Sequence, residues 1–150
     1  MKAQFLTLLI LPFFLSACAT PVTHNTPSGK PEVTISGVSK SAVKDALTDM
    51  MMNHQYTLST SSESMLVFDK PIDDDIMAFL FSSKLNRNPI FRVSYSIASL
   101  KKGTRVIADY NAVSNPGSGY ENKTSLVNHA YSRNLQNALY SLKNEMEGKK

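Results

Sequence analysis

The 150-residue chain has a single cysteine, Cys18, and no tryptophan. One thiol cannot form an intramolecular disulfide, so the fold must be held by packing alone. No basic run is longer than two residues and the net charge is only +4, which gives no support for nucleic-acid binding. The Gly-x-Ser-x-Gly and His-Glu-x-x-His motifs of hydrolytic enzymes are missing as well. These absences predict a protein that is not an enzyme, with no catalytic residue and no cofactor.

Three sets of possible metal ligands occur, but none has the spacing of a metal site. His24, His54 and His129 fall in unlike settings along the chain. The run Asp73-Asp74-Asp75 lacks the alternating acids, central glycine and terminal glutamate of an EF-hand loop. Acids in a first helical turn complement the helix dipole, so this run predicts the start of a helix. Three consecutive methionines, at positions 50–52, would point about 100° apart on a helix and cannot converge on one ion. Two of them are expected in the core and one at its edge, and we expect no metal site.

An apolar segment near the N-terminus leads into a run of small residues. Lys2 supplies a positive charge, and residues 5–15 are apolar. That segment is about half as long as the roughly 20 residues that a membrane-spanning helix needs, and it contains Pro12. A short positive region, an apolar run and small residues are the layout of a secretory signal peptide. The sequence therefore predicts a signal peptide over residues 1–17.

The four residues Leu15-Ser16-Ala17-Cys18 resemble the lipobox of bacterial lipoproteins. The resemblance implies that a signal peptidase recognises Leu15, Ser16 and Ala17 and cleaves before Cys18, which then carries acyl chains such as palmitate. The mature chain would have 150 − 17 = 133 residues and, after loss of one lysine, a net charge of 15 − 12 = +3. The alternative is an ordinary cleaved signal peptide followed by an incidental cysteine.

The residue after the cysteine bears on location. In enterobacterial lipoproteins an aspartate at this position favours retention in the inner membrane, and here the residue is Ala19. By the same resemblance, the expected location is the outer membrane, with the domain at its periplasmic face, and the inner membrane is less favoured.

Residues 18–31 predict a lipidated cysteine followed by a flexible tether. The segment has three prolines and many small polar residues, which cannot bury enough surface to fold. Fully extended, residues 19–31 would reach about 40 Å. His24 lies in this segment and is expected in solvent. The rest of the chain, residues 32–150, has a length that fits a single globular domain with one core.

Strand and helix patterns alternate along that domain. Alternating apolar residues and flanking turn residues predict strands over residues 32–36, 55–60, 64–69, 90–100 and 104–113. Apolar residues at helical spacing predict helices that begin after the cap Ser39, at Ile76 and after the cap Thr124, and run to about His54, Asn86 and Glu147. The strand over 90–100 has one apolar and one polar face, which is typical of an antiparallel sheet. We expect an α+β fold with an antiparallel sheet of about five strands and two or three helices on one face, similar to helix-grip folds.

The segment from Ile76 to Phe81 is the candidate binding surface. On a helix its large apolar side chains would cover about 200° of arc, whereas a helix resting on one core needs only about 100° or a little more. Either the helix is wedged between the sheet and a loop such as residues 114–119, or one edge forms a partner or ligand surface. In the second case Phe79 or Phe81 would be the anchor.

Together these features predict a membrane-anchored lipoprotein of the cell envelope that acts as a protein-interaction or envelope-assembly accessory module. The expected partners are the lipid bilayer, through acylated Cys18, and another envelope protein. The alternative is a carrier or sensor, on the periplasmic side, of a hydrophobic or amphiphilic ligand held between helix and sheet. A buried cavity would favour the carrier, and an exposed apolar patch would favour the interaction module.

Overall fold

The computed structural model describes residues 21–82 and 88–148. Within these ranges one antiparallel sheet is accompanied by three helices. The strands are β1 (Glu32–Ser36), β2 (Thr57–Ser61), β3 (Met65–Pro71), β4 (Ile90–Leu100), β5 (Gly103–Ser114) and β6 (Asn122–Ser125). The helices are α1 (Lys40–Asn53), α2 (Asp75–Phe81) and α3 (Ala130–Gly148). The predicted α+β class with an antiparallel sheet is confirmed, and the sheet has six strands where about five were expected.

The two longest strands, β4 and β5, lie at the centre of the sheet, whose order is β1-β5-β4-β3-β2. β1 pairs only with residues 103–107 of β5. The backbone N–H and C=O groups along the rest of that edge of β5 therefore need another partner. β6 fills this place by pairing with residues 111–114. The predicted helix cap at Thr124 is therefore wrong, because Thr124 lies in β6, where it pairs with Ala112 of β5, and α3 begins at Ala130.

The turn between β4 and β5 depends on Gly103. Its φ is +154°, and a Cβ at this position would lie 2.1 Å from the carbonyl oxygen of Ile35 in β1. Glycine is the residue that tolerates both this backbone conformation and so close an approach of a neighbouring strand. The turn thus fixes the register of β5 against β1.

The core lies on one face of the sheet, under α1 and α3. The predicted inward-facing residues of β4 are buried there: Phe91, Val93, Tyr95 and Ile97. α1 begins at the predicted cap, where the Ser39 hydroxyl accepts the N–H of Ala42 at 3.2 Å. Its buried residues recur every four positions and face the same core: Val43, Leu47 and Met51. Each fully buried side chain of this size contributes roughly 1.5–3 kcal/mol, so this face supplies the main stabilisation of the domain.

The opposite face of the sheet is polar, as the alternation in β4 predicted. Arg92 makes a two-point ion pair with Asp69, with N–O distances of 2.7 and 2.9 Å, and also binds Glu121 at 2.9 Å. The backbone N–H of Gly117 and the Arg92 guanidinium lower the pKa of Glu121. These contacts fasten the loop between β5 and β6 to the sheet.

α3 covers the free edge of β1. The amide of Gln136 accepts the N–H of Glu32 at 2.8 Å and donates to its carbonyl oxygen at 3.1 Å. Lys143 donates to the carbonyl oxygen of Thr34, two residues further along β1. The Glu147 carboxylate accepts the N–H of Ser36 at 2.6 Å. An edge strand presents unpaired N–H and C=O groups to other chains. The side chains of α3 satisfy these groups and so block further pairing at this edge.

Residues 21–31 lie against the domain, which corrects the prediction of a flexible tether for this part of residues 18–31. Val22 is buried, and its N–H donates to the carbonyl oxygen of Asn128 at 3.0 Å. His24, expected in solvent, lies with Nε2 2.6 Å from the hydroxyl of Ser132. Pro31 is buried and its carbonyl accepts an N–H of β5. The composition was misleading because these residues pack on and hydrogen-bond to distant parts of the domain and need no core of their own. Residues 18–20 lie outside the described ranges.

Candidate functional site

α2 begins at the aspartate run, as predicted. The Oδ1 atom of Asp74 accepts the N–H of Met77 at 2.9 Å, which makes Asp74 the N-cap. Asp75 lies in the first turn of α2, where its charge complements the helix dipole. The helix ends at Phe81, before the predicted end near Asn86, because the backbone of Ser82 is extended with ψ of 156°. Residues 83–87 of the predicted helix lie outside the described part of the chain.

One side of α2 carries an apolar stripe exposed to solvent. Ile76, Phe79 and Leu80 are 74%, 79% and 64% exposed, and their i, i+3, i+4 spacing places them on one face of the helix. We call these three residues the α2 stripe. The other side of α2 packs against the core, with Met77 and Phe81 partly buried. The helix thus buries part of its apolar arc and leaves the rest uncovered.

The two predicted anchor residues lie on different sides of α2. Phe79 belongs to the α2 stripe, whereas Phe81 is half-buried against the core. The backbone carbonyl of Phe81 accepts a hydrogen bond from the hydroxyl of Ser114, which fixes the end of α2 to the end of β5. Phe81 therefore corresponds to the wedged alternative, and Phe79 is the residue that a partner can reach.

A second concave surface lies between the helices and the sheet. α1 and α3 leave a cleft of about 420 Å³. Its floor includes Phe91, Val93 and Tyr110 of the sheet, and Met51 and Leu135 contribute from α1 and α3. Small-molecule sites have volumes of roughly 300–1,000 Å³ and are mostly apolar with a few polar groups. The cleft has this size and character, although it is open to solvent along one side.

Three tyrosines from distant parts of the chain supply polar groups to the cleft. The hydroxyl oxygens of Tyr56 and Tyr110 are 3.4 Å apart. The rings of Tyr110 and Tyr131 have centroids 6.1 Å apart, and both contact the ring of Phe91. Burial raises the pKa of Tyr56 and of Tyr110, so both phenols stay protonated and can donate hydrogen bonds. Sequence reasoning missed this group, because residues so far apart along the chain meet only through the fold.

Two residues of the methionine run, Met50 and Met51, line the cleft. Met51 is buried, Met50 packs partly buried beside it, and Met52 is exposed. Two core residues and one at the edge were predicted, whereas the structure has one in the core, one at its edge and one exposed to solvent. Among residues 21–82 and 88–148, no group of three or more His, Cys, Asp or Glu side chains could hold a metal ion.

The residues of the lipobox resemblance, Leu15, Ser16, Ala17 and Cys18, lie outside the described ranges, as does the whole predicted signal peptide over residues 1–17. Within the described residues, no helix combines the length and the apolar character that crossing a bilayer requires.

Comparison with models of known protein families gave no match. Comparison with curated protein sequences gave no match either. Function is therefore inferred from the α2 stripe, the cleft and the lipobox resemblance.

Proposed function

We propose that the protein is a lipid-anchored protein of the outer membrane whose periplasmic domain binds another envelope protein through the α2 stripe. The observation that carries this proposal is the exposure of Ile76, Phe79 and Leu80 on one face of a helix that packs on the core with its other face. Helical faces with anchors at i, i+3 and i+4 dock into apolar grooves of partner proteins. A large aromatic side chain at the centre of such a face dominates the binding energy, and Phe79 has that position.

Acylation of Cys18 would bring the domain to its partner. Each buried methylene contributes roughly 0.8 kcal/mol to membrane binding, so two or three acyl chains hold a protein at the bilayer. Val22 is four positions after Cys18, and four residue steps can span at most about 14 Å. Because Val22 is packed on the domain, the anchor would keep the domain close to the membrane surface. A partner in the same membrane would then meet α2 at high effective concentration.

Site-specific photo-crosslinking in cells tests the partner surface. A photoreactive amino acid at position 79 of the full chain should crosslink to one discrete envelope protein. The matched control is position 100, because Leu100 is also an exposed apolar residue, at 47%. Leu100 lies at the β4–β5 turn, whereas α2 is fixed to Ser114 at the other end of β5. The same crosslinked species at both positions would contradict the proposal.

A charge substitution gives the second test of the same surface. Phe79→Asp should leave the fold intact and abolish the crosslink formed from a neighbouring position on α2, because a carboxylate cannot enter an apolar groove without a partner charge. Leu100→Asp should change neither the fold nor the crosslink. A folded Phe79→Asp protein that still forms the crosslink would show that the α2 stripe is not the contact surface.

The cleft favours a second candidate function, that of a carrier or sensor of an amphiphilic ligand. Its volume of about 420 Å³ and its apolar floor with tyrosine hydroxyls match a small-molecule site. The two functions use different surfaces, so one domain can have both.

A further inference from the structure

A lysine occupies the apolar face of the sheet at the mouth of the cleft. In β3, Leu66, Phe68 and Lys70 follow one another at two-residue intervals, and the first two are buried in the core. Side chains at this interval lie on the same face of a strand. Lys70 pairs with Phe91, which forms part of the floor of the cleft. A cation placed on an apolar face is costly unless polar groups or an opposite charge compensate it.

The protein compensates the Lys70 ammonium only in part. Its Nζ atom donates to the carbonyl oxygen of His54 at 3.3 Å and to the side-chain oxygen of Gln55 at 3.4 Å, and it lies 5.7 Å from the ring centroid of Tyr56. Both hydrogen bonds are longer than the usual range of about 2.7–3.2 Å. His54 closes α1, so one role of Lys70 is to complement the negative end of that helix. An ammonium has three N–H donors, and these two long hydrogen bonds occupy two of them.

No carboxylate of the described residues forms an ion pair with Lys70. Asp73 and Asp74 do line the cleft, but both are exposed on the segment that leads into α2. The carboxylate of Asp74 is engaged by the N–H of Met77 at the start of that helix. The mouth of the cleft therefore has a half-buried cation on the apolar face of the sheet, with no ion pair to a carboxylate of the described residues, and has exposed acids beside it.

The cleft continues as a trough between α1 and α3. A second concavity of about 630 Å³ shares Met50, His54 and Ala138 with the first. Its other lining residues are the apolar side chains Ala46, Leu142 and Met146, which are buried or half-buried, and four exposed polar residues, Asp49, Asn53, Ser141 and Glu145. An α-helix rises 1.5 Å per residue, so the lining of α3 from Tyr131 to Met146 is about 22 Å long. A trough of this length fits a linear hydrocarbon chain better than a compact ring system. Methionine side chains adapt their shape to such a chain.

We infer that the cleft binds an amphiphile with one hydrocarbon chain and an anionic head, with the chain in the trough between α1 and α3 and the head against Lys70. The Tyr56 hydroxyl, which lines the same cleft, is a second donor for the head. A carboxylate and a phosphate monoester share this chemistry. The site deepens the carrier function proposed above and does not depend on acylation of Cys18 or on the α2 stripe.

Calorimetric titration with four probes that share a dodecyl chain tests the head group. The mature chain without the acylated cysteine, residues 19–150, contains every described residue and is titrated below the micelle concentration of each probe. Dodecanoate and dodecyl phosphate should bind at least tenfold more tightly than neutral dodecyl maltoside. Cationic dodecyltrimethylammonium should bind most weakly. The relative affinities of the two anionic probes show whether a carboxylate or a phosphate is preferred.

Two pairs of variants locate the probe. Lys70→Gln should weaken the binding of both anionic probes about tenfold and leave dodecyl maltoside unchanged, whereas Lys101→Gln, at the β4–β5 turn, should change nothing. Ala138→Trp should fill the trough and weaken all four probes at least tenfold, whereas Asn137→Trp, on the exposed side of the same helix, should not. If Ala138→Trp does not fold, the Lys70→Gln comparison still decides, because that side chain is not part of the closed core.

The outcomes that contradict the inference are distinct from those that contradict the carrier function. If none of the four probes binds, the carrier function and the inference both fail. If all four bind equally and Lys70→Gln changes nothing, the carrier function stands and the assignment of an anionic head is wrong. If binding survives in a folded Ala138→Trp protein, the chain does not lie in this trough.

Discussion

Two phenylalanines that differ in burial provide a direct test of which surfaces are packed. Phe68 of β3 is 0% exposed, and its ring meets that of Tyr95 edge-on with centroids 6.0 Å apart. Phe79 of the α2 stripe is 79% exposed. Substitution by alanine removes the same atoms at both positions. The difference in stability between Phe68→Ala and Phe79→Ala therefore measures the effect of burial.

The structure sets the expected size of that difference. Truncation of a fully buried phenylalanine removes its transfer free energy and leaves a cavity, at a cost of about 3–5 kcal/mol. A domain of this size loses about 4 °C in Tm per kcal/mol, so Phe68→Ala should lower Tm by roughly 12–20 °C. Phe79→Ala removes no core contact and should stay within about 0.5 kcal/mol of the parent protein, or roughly 2 °C.

Thermal unfolding followed by circular dichroism measures both changes, and urea titration checks that the m-value is the same in the parent and both variants. A large loss of Tm in Phe79→Ala would mean that the α2 stripe is packed and is not a free surface. An unchanged Tm in Phe68→Ala would mean that the two faces of β3 are reversed.

Two further predictions concern the edge strand β1. Gln136→Leu should destabilise the domain by about 2–4 kcal/mol in urea unfolding, because it leaves the buried backbone N–H and C=O of Glu32 without partners. The control is Asn137→Leu at the exposed neighbouring position. Equal stability of the two variants would contradict the role of α3 at this edge. The hydrogen bond from Arg105 lowers the pKa of Glu32 below its ordinary value of 4.5, so the stabilisation is present above that pH and is lost as the pH falls below it. Glu32→Gln should therefore flatten the pH dependence of stability below about pH 5, and an unchanged slope there would rule out this contribution.

The features that sequence analysis predicted well are those set within one element. The alternation around Phe91 and Val93 fixed both the bounds and the buried face of β4, because strand side chains alternate with a period of two. The Ser39 cap and the aspartates before α2 were equally local, since a cap bonds to the helix it begins. The apolar excess on α2 left two alternatives open, a wedged helix and an exposed edge, and only the structure separates exposed Phe79 from half-buried Phe81.

The features that sequence analysis missed depend on partners far along the chain. β6 has no apolar alternation, and it forms because β1 leaves half of one β5 edge unpaired. Gln136 is one polar residue among several in α3, yet its amide replaces a neighbouring strand for Glu32. His24 looked like part of a tether, but Ser132 and the carbonyl of Val127 hold its ring. None of these pairings has a local pattern from which it could be predicted.

The most direct test of the proposed membrane anchor is the intact mass and N-terminal sequence of the protein purified from outer membranes. We expect a mature chain that begins at Cys18 and carries acyl chains on that residue, and a Cys18→Ser variant that incorporates no labelled fatty acid. A mature chain that begins elsewhere, or that carries an unmodified Cys18, would contradict the lipid anchor and with it the proposed location of the domain.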